Sequence, residues 1–511
     1  MSATRIFPNL YRDSISLMQL SAVLAARPGI DNVSAVMATP ANLALLAEAG
    51  LAPGRVAAGP NDLLIVARGK DSAAVTAALD AAAAEIARPT VAAAGVAGPS
   101  LPRSLRSARL QVPAANLALV STPGEYAAAE AMKALRLGLN VMLFSDNVDL
   151  DDEVALKRLA KARGLMVMGP DCGTAIVNGV PLGFANAVRR GAIGVVGASG
   201  TGTQQVTCLV HRLGAGISHA IGTGGHDLSR RVGGITMVQG IRALAADQAT
   251  KVIVLISKPP APEVARAVLK AARNCGKPVV VNFIGAAPDS VRGQNLHVAA
   301  TLDHAARVAV ALAQGGAPPG PDLGQLPPVR LGPMAAGQRY VRGLYSGGTF
   351  CYEASAMLGA ALGTVWSNAP VDPRRRLGDA RKSKGHTLID LGDDAFTRGH
   401  PHPMIDFRLR NERLLREAED AEVAAIVLDV VLGFGAHPDP AAELAPVIEK
   451  ARATVRRRGR EIAVVGFVCG TELDPQGLDR QANALRSAGM ILTESNAQAA
   501  RLAASIAGGR R

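Results

Sequence analysis

Two stretches of this chain, residues 191–314 and 339–511, read as copies of one another, and an internal duplication constrains a fold more than any single motif does. Each copy opens on a strand that runs into a Gly/Ser/Thr turn and then a helix. In the first this is Ile193 to Val196 followed by Gly197-Ala198-Ser199-Gly200-Thr201-Gly202-Thr203; in the second it is Arg342 to Tyr345 followed by Ser346-Gly347-Gly348-Thr349. A Gly/Asp-rich loop comes next, Gly222 to Asp227 in one and Gly392 to Asp394 in the other. The apolar runs Lys251 to Ile256 and Ala424 to Val430 then read as fully buried strands, and the copies close on Ala305-Ala306-Arg307 and Ala499-Ala500-Arg501. Strands alternating with helices in this way predict two flavodoxin-like, doubly wound domains.

The repeated turn has chemical content. Glycines let the backbone turn tightly and approach a ligand, and the first amides of the following helix point outward with the helix dipole behind them. An anion site results, to which Ser199, Gly200, Thr201 and Thr203 contribute from one copy, and Ser346, Gly347, Gly348 and Thr349 from the other. A plain helix N-cap needs the same residue types, so a single such turn reads as a cap. Two of them in duplicated units point to a ligand held between opposed helix ends. Gly224 and Gly225 belong to a second loop of the same kind.

Upstream, residues 1–98 read as strand, helix, strand, short helix, strand, helix: Arg5 to Arg12, Ser14 to Ala26, Val33 to Ala38, Asn42 to Ala49, Asp62 to Arg68 and Asp71 to Ile86. This suggests a small ACT/ferredoxin-like module serving regulation, pairing or packing. After an Ala/Gly/Pro stretch at Ala92 to Pro102, residues 99–190 carry apolar strands at Asn116 to Val120, Val141 to Phe144 and Leu165 to Met168, the spacing of a half-size Rossmann-like unit. Gly/Pro-rich residues 315–338 are the linker between the copies. The whole chain is therefore expected to be a multidomain α/β protein.

Composition narrows the class. No run of eighteen apolar residues and no secretory signal pattern is found, which places the chain in the cytoplasm and away from the membrane. The formal net charge is +13, but the arginines are dispersed and only 3% of residues are aromatic, so anionic metabolites fit better than nucleic acid. The five cysteines form no C-x-x-C pair, and neither disulfides nor metal are expected. His400 and His402 flank Pro401 without a third ligand in view.

Gly169-Pro170-Asp171-Cys172-Gly173, the Ser199-Gly200-Thr201 turn and the Gly224-Gly225-His226-Asp227 loop resemble, in that order, the α subunit of the succinyl-CoA synthetase superfamily. Leu388 to Gly392 and Val427 to Pro438 are similar to the CoA-ligase domain of its β subunit. Both ligase domains in one chain behind a short amino-terminal module, with Tyr345 to Thr349 and Cys469 to Gln476, resemble the FdrA-like proteins. The resemblance implies a part in carbamoyl transfer between carbamoyl phosphate and oxamate during allantoin breakdown, with other protein subunits. Alternatives are an acyl-CoA synthetase subunit working with a separate ATP-grasp partner through an acyl phosphate, and a non-catalytic binding or regulatory subunit.

Three departures bear on which steps carry over. No segment has the length or pattern of the ATP-grasp domain, so the chain alone is not expected to make an acyl phosphate from ATP. The first half of the α subunit's CoA-binding domain, with its Gly-rich CoA loop, is replaced by the ACT-like module, so CoA or a nucleotide is expected, at most, through a partner subunit, and no cofactor of the chain itself is assigned. The nearest counterpart of the family's phosphorylated histidine is His297, whose position in the second copy is taken by Ile491, so His297 reads as a packed strand residue. The place of the partner glutamate is taken by Ser257-Lys258-Pro259-Pro260, and Lys258 there favours holding a preformed phosphate anhydride and stabilising its leaving oxygen. His226 beside Asp227 is a candidate acid or base or a solvated loop pair. Cys172 and Cys469, at corresponding strand ends, are candidate substrate contacts or packing residues, the latter with Glu472 and Asp474 nearby.

Overall fold

A computed structural model describes every residue except 49, 52–56, 88–101, 286–290, 292, 330, 333, 398–400 and 509–511. The chain divides into two compact units, Met1–Val167 with Asp394–Asp406, and Met168–Asp393 with Phe407–Arg511. Among the described residues no helix is long and apolar enough to cross a membrane.

The first unit begins with β1 (Ser2–Phe7), α1 (Ser14–Ala25), β2 (Ile30–Met37), α2 (Pro40–Glu48), β3 (Leu63–Gly69) and α3 (Ser72–Ala87). The strands form an antiparallel sheet in the order β1-β3-β2. Alternate residues of β3 face opposite cores, as period-two geometry requires. Leu63, Ile65 and Ala67 pack with Leu17, Leu24 and Leu79, while Leu64 and Val66 pack with Leu46 and Leu51. The first strand lies earlier than the expected Arg5 to Arg12, because Pro8 has no amide to pair and Asn9 turns the chain at φ 51. Next come α4 (Leu105–Gln111), β4 (Leu117–Val120), α5 (Gly124–Arg136), β5 (Asn140–Leu143), α6 (Leu150–Ala162) and β6 (Val167–Met168), with a three-stranded sheet ordered β4-β5-β6. Small residues let α5 sit close to it: Ala127, Ala131 and Ala134 repeat at helical spacing and are buried with Val141 and Leu156.

The second unit holds the duplicated sheets. The first contains β7 (Thr174–Val177), β8 (Val180–Gly183), β9 (Arg190–Gly197), α7 (Gly200–Arg212), β10 (Ile217–Gly222), α8 (Ile235–Ala246), β11 (Val252–Ser257), α9 (Pro262–Arg273), β12 (Val279–Phe283), β13 (Leu296–Val298) and α10 (Leu302–Ala313). The second contains β14 (Tyr340–Tyr345), α11 (Gly348–Leu362), β15 (Val365–Ser367), β16 (His386–Asp390), α12 (Asp394–Thr397), α13 (Arg408–Glu419), β17 (Val423–Val431), α14 (Pro440–Arg457), β18 (Ala463–Cys469), α15 (Leu478–Ser487), β19 (Met490–Thr493) and α16 (Asn496–Gly508), of which α12 falls in the first unit.

The strand orders are β13-β12-β11-β9-β10-β7-β8 and β15-β16-β14-β17-β18-β19. Matching β9 to β14 and β10 to β16 superposes the two parallel orders strand for strand, the doubly wound pattern in which the chain reverses direction across the first strand. Every residue of β11 and β17 is buried, as strands covered on both faces must be.

One expectation about a boundary changes. The hairpin β7–β8 pairs with β10 through Ala220 and Ile176, so residues 174–183 extend the first ligase-type sheet and do not close the Rossmann-like unit at 190. The Gly/Pro linker between the copies is held at two points: His304 Nε2 lies 3.0 Å from the Pro319 carbonyl oxygen, and Gln498 Nε2 donates to Leu323 O at 2.9 Å. The expected Ala92 to Pro102 linker lies outside the described residues apart from Pro102.

Candidate functional site

The two repeated turns meet. Ser199, the N-cap of α7, accepts the Gly202 amide at 2.9 Å, and its Oγ lies 2.6 Å from Thr349 Oγ1 in the first turn of α11. Thr201 packs over Gly347, where an added Cβ would come within 2.9 Å of Thr201 Oγ1. Thr203 turns inward, its hydroxyl donating to Ser199 O at 2.7 Å. Ser199 is thus both a cap and the bridge between two helix ends, and Thr203 is structural. Among the described residues, the amides of Gly200 and Thr201 donate to no group of the chain, nor do those of Gly348, Thr349 and Phe350. Open amides on two facing helix ends hold an anion without any side chain of their own.

The second turn is more complicated than the sequence suggests. Ser346 donates its amide and hydroxyl to Asp429 at 2.8 and 2.7 Å, and Gly347 donates its amide at 2.9 Å. Arg410 completes the buried carboxylate's shell at 3.0 Å. Ser346 and Gly347 are therefore withdrawn from the expected phosphate site, since the chain supplies its own anion there. What remains open on α11 begins at Gly348.

Lys258 follows β11, at the switch between β9 and β11 where doubly wound sheets bind ligands. It is exposed, and its Nζ stands 5.6 Å from the Tyr352 ring centroid on α11, so one cation serves both copies. Across from it, Asp390 ends β16. Its backbone is clamped on both sides by Asn368, which donates to Asp390 O and accepts from Asp390 N, each at 2.9 Å. The carboxylate lies against Gly348, where a Cβ would sit 2.4 Å from Oδ2. Burial pushes this carboxyl up to about 6, with Lys258 and the Gly392 amide pulling it back and Asp393 and Asp429 pushing it further.

Beside the α7 turn, a small open cleft is lined by Asp171 to Thr174, Gly197 to Gly200, Gly222, Gly224 and Gly225. Its glycines divide by cause. At Gly222 and Gly224 an added Cβ would collide with Thr174 O at 2.5 Å and Pro170 O at 2.2 Å, so the packing of the three loops requires glycine. Gly200 and Gly225 are exposed, with nearest contacts at 3.4 and 3.9 Å, so the space that a Cβ would fill opens to a ligand. Cys172 lies in this lining although only 2% exposed.

The other candidates lie elsewhere. His226 is exposed, while Asp227 is buried and accepts the Thr236 and Met237 amides at 3.1 and 2.9 Å, serving the start of α8. His297 pairs with Val280, Val280 with Val254 and Val254 with Val195, which puts it three strands from β9, roughly 14 Å away at the usual strand spacing. It sits on the edge strand β13, and partial burial lowers its imidazole from the ordinary value. Ile491 holds the same register position in β19, paired with Val465. Cys469 is buried at the end of β18, away from the cleft lining. The Asp474 carboxylate near it accepts from Asn186 Nδ2 and the Ala187 amide, each at 2.8 Å, while Glu472 Oε1 stands 2.6 Å from His211 Nε2. These two carboxylates join the duplicated domains and do not face the ligand. Among the described residues no group of three His, Cys, Asp or Glu could hold a metal; His402 is described and His400 lies outside the described residues.

Asp390, Asp429 and Arg410 went unnoticed in the sequence. Asp390 and Asp429 fall inside segments that resemble the β-subunit ligase domain, and each is a charged residue at the end of, or inside, an apolar strand, which is the available signal.

Family models match three stretches: a CoA-ligase domain at residues 344–506, a CoA-binding domain at 188–285, and an "AllF, heavy metal-associated domain" at 1–99. The last stretch contains no cysteine or histidine. Protein YahF of Escherichia coli (strain K12) is 45% identical over 98% of this chain and 97% of its own. The succinate–CoA ligase [ADP-forming] subunit alpha 2 of Archaeoglobus fulgidus is 30% identical over 28% of this chain, a match that spans half of that subunit. Among solved structures, the dinucleotide-forming acetyl-coenzyme A synthetase 1 of Ca. Korarchaeum cryptofilum is similar over 81% of this chain and 88% of its own, at 14% identity and a TM-score of 0.35.

Proposed function

Since the chain belongs to the FdrA-like proteins of the succinyl-CoA synthetase superfamily, we propose that it is the component of a carbamoyltransferase that holds carbamoyl phosphate, with a small carboxylate such as oxamate as acceptor and other protein subunits as partners. One observation carries this reading: α7 and α11 face each other across the Ser199–Thr349 contact with open amides at Gly200, Thr201 and Gly348, and Lys258 stands beside them where the synthetases keep a glutamate. The open amides hold the phosphate. Lys258 balances the charge that grows on the leaving oxygen as the carbamoyl carbon is attacked. Alignment of acceptor and anhydride supplies much of the remaining rate.

The test is phosphate release. The full chain with its co-purifying subunits is expected to liberate inorganic phosphate from carbamoyl phosphate only when oxamate is present, and Lys258→Ala to lower that rate by roughly 100-fold.

A second reading, an acyl-CoA synthetase subunit paired with a separate nucleotide-binding subunit, is favoured by the CoA-ligase and CoA-binding family matches. On it, the Gly197–Gly200 and Gly222–Gly225 loops hold coenzyme A, which supplies a thiol nucleophile. Thioester formation with ATP, CoA and a partner subunit, together with silence toward carbamoyl phosphate, would reverse the order of the two readings. Retained activity in His297→Ala would then remove a phosphohistidine relay.

A further inference from the structure

Asp390 is not used by the mechanism above, and its surroundings are those of a group waiting for a ligand. The residue is 8% exposed. Its Oδ1 accepts the Gly392 amide at 3.0 Å, while among the described residues Oδ2 has no hydrogen-bond partner in the chain and lies over Gly348, the first residue of α11. Neighbouring Thr349 reaches Ser199 at the start of α7. A carboxylate oxygen that accepts nothing from the chain and opens beside the free amides of α11 can take a donor from a ligand. The titratable groups around it are Lys258 after β11, Cys351 on α11, Asp393 after β16, Asp429 on β17 and, paired with it in register, Tyr345 on β14. Lys258 is the one cation among them, and it is also the group assigned to the leaving phosphate.

We propose that Asp390 is the catalytic base for the acceptor: its Oδ2 accepts a hydrogen bond from an N–H of the acceptor's amide nitrogen and takes that proton as the nitrogen attacks. The inference rests on the carbamoyl-transfer reading. In the step, the nitrogen lone pair forms a new C–N bond to the carbamoyl carbon and the C–O bond to phosphate breaks. The proton passes from nitrogen to Asp390 and then to the departing phosphate, which leaves as hydrogen phosphate, so no further reactant is needed. An N–H donor is what Oδ2 lacks, and an acceptor presenting a second carboxylate in its place would meet like charge. Because burial holds the carboxyl near 6, the base form dominates at neutral pH and is lost as pH falls through that value.

The experiment compares wild type, Asp390→Asn and Asp390→Glu in the full chain with its co-purifying subunits. Phosphate release from carbamoyl phosphate and oxamate is followed from pH 5 to 8, and carbamoyl phosphate binding by calorimetry. The expected result is a loss of about 100-fold or more in Asp390→Asn with binding changed less than about threefold, disappearance of the acidic limb near pH 6, and partial rescue in Asp390→Glu. The Asn368 clamp acts on backbone atoms, so the Asn variant keeps the fold, and a melting temperature near wild type checks it. Wild-type-like turnover in Asp390→Asn overturns the base while leaving the carbamoyl-transfer reading intact. A wild type that transfers nothing to any amide acceptor overturns both.

Discussion

At the residue scale, the second helix end is decided by Asp429. A carboxylate with no exposure is tolerable in a strand because Ser346, Gly347 and Arg410 surround it with donors. Removing it leaves a buried guanidinium and three unpaired donors. Asp429→Ala is expected to lower unfolding stability by about 3–5 kcal/mol in urea titration. Glu353 poses the opposite case. Burial pushes its carboxyl up to about 7, with the Leu302 amide and Asn496 pulling it back and Asp303 pushing it further. The folded state holds this proton more tightly than the unfolded chain does, so its contribution is present below the ordinary carboxylate range and lost as pH rises to about 7. Wild type should lose about 3 kcal/mol relative to Glu353→Gln between pH 4.5 and 8, read from urea midpoints. A pH-independent difference would show that the carboxyl does not titrate there. Neither residue announces its role in the sequence, because burial and partner are both products of packing.

At the element scale, the turn-and-helix pairs were legible and their chemistry was half legible. Glycine, serine and threonine before an apolar run predict a helix start whatever else surrounds it, and α7 and α11 begin there. Which glycines serve packing and which serve a ligand depends on neighbours distant in sequence. Gly224 has φ +82 and faces Pro170 O, whereas Gly225 has open space. Gly224→Ala is expected to destabilise the fold by roughly 1–3 kcal/mol. Gly225→Ala should leave the melting temperature unchanged and weaken phosphate binding. Calorimetry on both variants separates these roles, and equal effects on stability would contradict the division. His297 illustrates the converse: a strand position was readable from its apolar neighbours, and the register places it far from the turn.

At the scale of the second unit, α7 shows what duplication accomplishes. Eleven of its residues, Thr201 to His211, are buried, although the helix carries three threonines, two glutamines and a histidine. No amphipathic pattern foretells this, because the helix is covered on one side by its own sheet and on the other by the second copy. Asn186 and His211 meet Asp474 and Glu472 from the other copy, which satisfies the polar groups that burial would otherwise strand. A chain ending at residue 338 is therefore expected to aggregate or lack a cooperative transition in circular dichroism, and a sharp transition would show that the first sheet folds without its copy. The sequence by itself determined the element order, the two-fold repeat, the doubly wound sheets and the helix-end turns, because periodicity and glycine placement are local properties. Tertiary structure alone decided that Asp429 neutralises one turn, that Asp390 presents an oxygen beside the open amides, and that Lys258 faces the second copy, because each depends on residues that are distant in sequence and are brought together only by packing.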